Sequence, residues 1–188
     1  MSDLLVPLSS GAFIEILDLF GTMAFAATGA FKAIDHKSDI VGVIILSTIT
    51  GVAGGVMRDI IFGKFPPTAI VNPVYLIVTV TTSIVIFILY PHLRHHQSLF
   101  LKFDAVGLGV FTIIGSTIAY SIFGLYLLPM IIGGVLTAIG GGVLRDILVK
   151  EIPLVFIKEM YASPSFVGTV VFFLMSYVGR NINITTIS

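Results

Sequence analysis

The stretch "TITGVAGGVMRDIIFGKFPP" (residues 48–67) sets the problem on which the fold turns. It is a long apolar run, yet Gly51, Gly54 and Gly55 weaken it as a helix, and Arg58 and Asp59 follow at once. The chain writes nearly the same text again as "LTAIGGGVLRDILVKEIP" at 136–153, with Gly140, Gly141, Gly142, Arg145 and Asp146. Aligning 50–60 with 137–147 gives seven identities in eleven positions at an offset of 87. Self-similarity of this kind marks an internal repeat. The lead-in segments agree: "LDLFGTMAFAATGA" (17–30) and "FDAVGLGVFTIIGS" (103–116) share Asp18/Asp104, Gly21/Gly107, Phe25/Phe111 and Gly29/Gly115. Downstream, Pro66/Pro153 and Tyr75/Tyr161 correspond.

The chain is 56% hydrophobic and 11% charged, with a mean hydropathy of +1.09. A soluble domain carries roughly 25% charged residues. So little charge cannot clothe a soluble surface, and the chain reads as an all-α integral membrane protein. It holds no cysteine, which removes disulfides and thiolate chemistry, and its zero net charge gives no field to steer nucleic acid. The apolar runs divide into six candidate membrane helices at 11–34, 40–62, 72–90, 103–123, 127–149 and 160–178. Three fall in a first repeat, 11–91, and three in a second, 101–178, with a tail at 179–188. Because each repeat holds an odd number of crossings, the second copy enters the membrane from the opposite side. Inverted repeats of this kind, with a discontinuous helix in each, are an architecture of transporters and some channels.

The excess of Lys and Arg sets orientation. Lys32, Lys37, Arg94, Lys102, Lys150 and Lys158 fall on one side, and Lys64 and Arg180 on the other. The first side is therefore expected to be cytoplasmic and the N-terminus outside.

Glycine lowers helix stability by about 1 kcal/mol against alanine. The clusters at Gly51–Gly55 and Gly140–Gly142 thus predict a glycine-broken second helix in each repeat, opening backbone to a water-filled path. The competing reading is close helix packing, since small residues line membrane interfaces. Thr50 and Thr137 add oxygens to such a path, or bond back to a helix carbonyl. An arginine at the bilayer centre costs roughly 2.5–3.5 kcal/mol on insertion scales, so Arg58 and Arg145 need water or partners. Adjacent helical residues point about 100° apart, which separates Arg58 from Asp59 and Arg145 from Asp146. Depth in the membrane instead predicts Asp18–Arg58 and Asp104–Arg145 pairs, one towards each face; the alternative is that all four snorkel to the interface. Four aspartates, Asp18, Asp59, Asp104 and Asp146, oppose two arginines, and an acidic path favours cations. His92, His95 and His96 beside Arg94 read as a solvated loop, with metal capture or pH sensing as the sharper option. No metal-ligand spacing and no nucleophile with a base points to an enzyme.

Two copies of "GG-x-x-RD" followed by a proline, each after a "D-x-x-G" helix, resemble the trimeric intracellular cation channel (TRIC) family, in its prokaryotic branch of paired-domain membrane proteins. The resemblance spans 13–178. It implies a homotrimer in the inner (plasma) membrane, a pore in each protomer between the two repeats, and conduction of K⁺ and Na⁺ without any cofactor. A secondary transporter of a small zwitterion such as glycine is the alternative. Family members carry a seventh helix; here only "VGRNINITTIS" follows the sixth, so the sequence is expected to stop short of it.

Overall fold

The computed structural model describes residues 8–93, 98–158 and 160–185. Its element order repeats itself. A long helix, a long helix, a four-residue helix and a long helix make the first half: α1 (Leu8–Asp35), α2 (Ile40–Ile61), α3 (Thr68–Val71) and α4 (Pro73–Leu93). The second half follows the same order with α5 (Ser98–Phe123), α6 (Leu127–Leu148), α7 (Leu154–Ile157) and α8 (Ser163–Thr185). Five of these helices, α1, α2, α4, α5 and α6, are long and apolar enough to cross a membrane. In α8 the apolar part is shorter, Ser163–Val178, and the helix runs past the expected edge to Thr185. The chain is a multi-pass membrane protein. The short α3 and α7 fall where the sequence pattern suggested only loops. Of the histidine cluster, His92 lies in α4, while His95 and His96 lie outside the described residues.

Helices α1, α2, α5 and α6 form the core, and α4 and α8 pack outside it. Each core helix lies antiparallel to its counterpart in the other half. In the α1–α5 pair, Phe31 sits by Phe103 and Phe25 by Phe111. The contacts are reciprocal, as a two-fold relation requires. A Cβ on Gly21 would meet the Phe111 ring at 3.0 Å, and one on Gly107 would meet the Phe25 ring at 2.7 Å. The α2–α6 crossing repeats the pattern: a Cβ on Gly54 would lie 2.1 Å from the Thr137 carbonyl oxygen, and one on Gly141 would lie 2.3 Å from that of Thr50. Gly29 and Gly115 likewise seat α1 on α2 and α5 on α6. All these small-residue contacts lie within one chain.

These contacts correct the expectation of broken helices. Both α2 and α6 stay helical through their glycines, from Ile40 to Ile61 and from Leu127 to Leu148. The packing reading applies to Gly51, Gly54, Gly140 and Gly141. Gly51 sits against Thr79 of α4 and the Thr22 carbonyl, and Gly140 against Met57 and Gly54. In a bilayer an unwound turn would leave backbone groups without partners, at several kcal/mol each. Removing the side chains lets the helix axes approach without that penalty. Each helix then stops in the same way. Gly63 N–H donates to Ile60 O and Lys64 N–H to Asp59 O, matched by Lys150 N–H to Ile147 O and Glu151 N–H to Asp146 O. This is a Schellman ending. It needs a left-handed residue, which is Gly63 (φ 75°) in the first half and Lys150 (φ 61°) in the second.

The two adjacent glycines should therefore respond differently. Gly54→Ala pushes a methyl into the Thr137 backbone and is expected to lower thermal stability in detergent by about 1–3 kcal/mol, the range for overpacking. Gly55→Ala would meet only Arg58 Nη2, at 3.7 Å, and should be neutral or slightly stabilising. Equal melting temperatures for the two variants would contradict the packing assignment.

Candidate functional site

Two buried charged clusters are built by the doubled motif, one near the C-terminal end of α2 and one near that of α6. Since α2 and α6 are antiparallel, the clusters lie at opposite ends of the core. Long helical side chains lean back over the residues three and four positions earlier. The arginine therefore folds over the second glycine of each doublet. Arg58 Nη2 lies 3.7 Å from a Cβ placed on Gly55, and Arg145 Nη2 lies 3.6 Å from one on Gly142. So the "GG-x-x-R" spacing has two functions: the first glycine lets the helices cross, and the second makes room for the guanidinium.

In the second cluster Arg145 is 0% exposed. Its Nη1 donates to Asp104 Oδ1 at 2.7 Å and to Thr28 Oγ1 at 2.9 Å, and its Nε donates to Asp146 Oδ1 at 2.9 Å. Phe100 covers the guanidinium with its ring centroid 4.8 Å from Cζ. The expected Asp104–Arg145 pair is present. Asp104 is buried within the protein and does not snorkel. Thr28 comes from the first repeat, so one guanidinium ties the two halves together.

The first cluster differs. Arg58, 2% exposed, donates from Nε and Nη2 to Asp59 Oδ1 at 2.9 and 2.8 Å. Asp18 accepts instead from the Tyr75 hydroxyl. The expected Asp18–Arg58 ion pair is thus replaced by Asp18–Tyr75 and Arg58–Asp59. Adjacent residues do pair here, in both clusters. Their Cβ atoms diverge, but a four-bond arginine stem reaches around the helix to its neighbour. Arg58 Nη1 has no hydrogen-bond partner among the described residues. A void of about 10 Å³ lies beside it, bounded by Asp18, Thr22, Gly55, Asp59, Thr68 and Tyr75.

The second carboxylate oxygen of each motif aspartate has a different partner. Asp59 Oδ2 accepts from Thr68 N–H at 2.9 Å and from Thr68 Oγ1 at 2.8 Å, while Asp146 Oδ2 accepts from Leu154 N–H at 3.0 Å. Thr68 and Leu154 begin α3 and α7. Each aspartate thus bridges its arginine and the first turn of a short helix, and the Schellman ending brings the chain back within reach. The threonines expected on a path, Thr50 and Thr137, donate to the carbonyls of Leu46 and Gly133, both at 2.6 Å. That is the back-bonded alternative. Tyr75, Thr28, Thr68 and Phe100 were not foreseen as partners. The recurrence of Tyr75 at Tyr161 was a usable signal for the first, since Tyr161 also lies beside Asp104 and Arg145.

A duplicated, antiparallel helical unit with an arginine–aspartate pair buried behind paired glycines defines a class of membrane protein, and comparison with known proteins gives that class a name. A family model described as glycine transporter matches twice, over residues 15–91 and 101–177. The chain belongs to that family, which is the prokaryotic branch of the TRIC family. It is 35% identical over 156 residues to the UPF0126 inner membrane protein YadS of Escherichia coli, covering 82% of this chain and 75% of YadS. It is 37% identical over 150 residues to the UPF0126 membrane protein YvgT of Bacillus subtilis, covering 79% and 73%. Among solved structures, the TRIC orthologue of Rhodobacter sphaeroides superposes with a TM-score of 0.84 at 31% identity, over 89% of this chain and 86% of that one. A prokaryotic TRIC channel superposes with a TM-score of 0.80 at 33% identity, over 94% and 98%.

A double-mutant cycle separates the partners. Asp18→Asn combined with Tyr75→Phe should be less destabilising than the sum of the singles. Arg145→Ala should lower stability by about 3–5 kcal/mol, the range for leaving buried charges unpaired. Thermal unfolding in detergent measures all of these. Additivity of Asp18 with Tyr75 would remove the assigned bond.

Proposed function

We propose that this chain is a passive channel for monovalent cations, K⁺ and Na⁺, with a path inside each protomer where the two repeats meet. The observation that carries the reading is the placement of two net-acidic buried clusters at opposite ends of the α1, α2, α5 and α6 core. With every group ionised, Asp18 and Asp59 outweigh Arg58, and Asp104 and Asp146 outweigh Arg145. An acidic entrance at either end favours cations. Between them lies a seam of buried threonines, Thr22, Thr28, Thr50 and Thr137, whose hydroxyl oxygens retain lone pairs as acceptors. In this conformation the seam is shut where Gly54 and Gly141 close on the opposing carbonyls. Solved relatives described as TRIC cation channels support the reading, and the trimeric relative from Rhodobacter sphaeroides supports a homotrimer.

The face bearing Lys32, His36 and Glu151 is the cytoplasmic one on this reading. Glu151 joins Lys32 and His36 there, with His36 Nε2 at 3.2 Å, so the ends of α1 and α6 share that face. The N-terminus then starts outside. The positive-inside excess and a relative named as an inner membrane protein support this placement.

The partnerless Arg58 Nη1 favours a second reading, a transporter that grips the carboxylate of a small zwitterion such as glycine. Size argues against it in this conformation, because a void of about 10 Å³ holds about one water molecule.

Recording from purified protein in planar bilayers under a KCl gradient tests the proposal. Discrete currents reversing close to the K⁺ equilibrium potential are expected, and Asp18→Asn should weaken the preference for cations over chloride. Electrical silence together with saturable glycine uptake into proteoliposomes would overturn the channel in favour of the transporter.

A further inference from the structure

Where the chain turns out of α1 and out of α6, a group of ionisable side chains lies outside both arginine clusters. Glu151, in the turn after α6, accepts from Lys32 of α1 at Oε2. Its Oε1 lies 3.2 Å from Nε2 of His36, the residue that follows α1. The other ring nitrogen of His36, Nδ1, lies 2.9 Å from the Lys32 carbonyl oxygen. The Schellman ending of α6, with Lys150 left-handed at φ 61°, brings Glu151 to this place. One carboxylate thus joins the two halves of the chain at this face.

The ring geometry selects a protonation state. A carbonyl oxygen only accepts, so Nδ1 carries a proton. A neutral imidazole has a single N–H. With that proton on Nδ1, a neutral ring turns the lone pair of Nε2 towards a carboxylate. The imidazolium has a donor at both nitrogens and suits both neighbours. Its charge also stands at the C-terminal end of α1, where the helix dipole favours a cation. Histidine is the side chain whose charge changes between about pH 5 and 8.

The surrounding groups leave this contact to His36. Asp35, its neighbour in the chain, accepts from the Tyr90 hydroxyl of α4. From α5 comes the Phe100 ring, 5.6 Å from Lys32 Nζ and 4.8 Å from Arg145 Cζ. Lys37, Lys150, His92 of α4 and Lys102 of α5 make no ion pair with His36 among the described residues. The repeat does not call for this group of residues either. In its register Lys32, His36 and Glu151 correspond to Ile118, Ile122 and Lys64, which cannot form it. The contact is therefore confined to one end of the core, where Phe100 links it to the buried Arg145.

We propose that His36 is a proton sensor at the inner mouth. Protonated, it grips Glu151 and latches the turn after α6 to the end of α1. Neutral, it presents a lone pair to that carboxylate and leaves Glu151 to Lys32 alone. The sign follows from which form gains a partner on folding. The charged ring gains one, so the latch is complete below the range in which histidine titrates and is lost as pH rises through it. Acid holds the mouth shut and alkali loosens it. That the sensed side is the cytoplasm, and that the latch acts on ion flow, rest on the channel reading; the latch itself does not.

Two readouts test this. Thermal unfolding of the full chain in detergent, at about pH 5.5 and about pH 8, reads the latch. The wild type should melt about 2 °C above His36→Gln at the acidic pH, the size expected of one half-exposed ion pair, and the gap should close at the alkaline pH. In a Glu151→Gln background, His36→Gln should change nothing at either pH. Recording in planar bilayers reads the regulation. Raising the pH on the cytoplasmic side over the same range should increase the wild-type open probability about threefold and leave that of His36→Gln unchanged. A melting gap that is the same at both pH values overturns the latch, as does a pH-dependent gap that survives in the Glu151→Gln background. Should Glu151→Gln not fold, the gap between wild type and His36→Gln alone decides. Currents indifferent to pH on both sides, with the melting gap present, overturn the regulation. Electrical silence at every pH with the melting gap present supports the latch and counts against the channel reading instead.

Discussion

The buried guanidinium of Arg145 is the constraint around which its half of the protein is arranged. A charge taken out of water in a membrane protein requires partners at hydrogen-bonding distance, and the desolvation penalty in real proteins is several kcal/mol per ion. Arg145 meets that requirement with Asp104 from α5, Asp146 from its own helix, Thr28 from the other repeat and the Phe100 ring. Each demand fixes a neighbour. Gly142 is small so that the side chain can fold back. Asp146 bridges the arginine and Leu154, which fixes the return of the chain after α6. Thr28 draws α1 to α6, and with it the first half of the chain to the second.

The first repeat solves the same problem with different partners. Arg58 has a single carboxylate and a small void, and each arginine keeps one terminal nitrogen without a hydrogen-bond partner among the described residues, Nη1 of Arg58 and Nη2 of Arg145. Tyr75 donates to Asp18, whereas Tyr161 lies beside both Asp104 and Arg145. A two-fold relation in sequence has thus been retained where the helices cross, at Gly54/Thr137 and Gly141/Thr50, and relaxed in the charged clusters. That division is physically reasonable. A Cβ at the crossing would come within 2.1–2.3 Å of an opposing carbonyl oxygen, so no side chain is tolerated there and the crossing stays symmetric, while polar partners exchange roles wherever another donor lies within reach.

Much of this was legible in the sequence, and the failures share a cause. The repeat and the Asp104–Arg145 pair follow from spacing and depth alone. The glycine clusters were located correctly but read as breaks, because glycine's helix-weakening effect is a property of isolated chains. In lipid the penalty for freed backbone groups exceeds it, and packing restores the helix. The Arg58–Asp59 pair was missed because a helical wheel records where Cβ points and not how far an arginine reaches. The four-residue helices α3 and α7 have no periodicity to detect, and only the aspartate that caps each one reveals it. Thr28 and Phe100 carry no signal in their own local sequence, since they become partners through tertiary contact.

Continuity of α2 and α6 also limits how a path could open. Unwinding at the glycines would strip carbonyls of their helical partners in a medium that supplies none. The glycine faces offer a less costly motion. At the crossing, each contact joins a side-chain-free Cα to a carbonyl of the opposing helix, a weak interaction of about 0.5–1 kcal/mol. No interdigitated side chains at Gly54 and Gly141 have to change rotamer for the two helices to slide or part. The Arg145 end holds more strongly, through its ion pair to Asp104 of α5 and its bond to Thr28 of α1, whereas the Arg58 ion pair stays within α2 and Asp59 reaches only α3. Contact is therefore weakest at the middle of the seam. On the channel reading, that is where Thr50 and Thr137 would first face water.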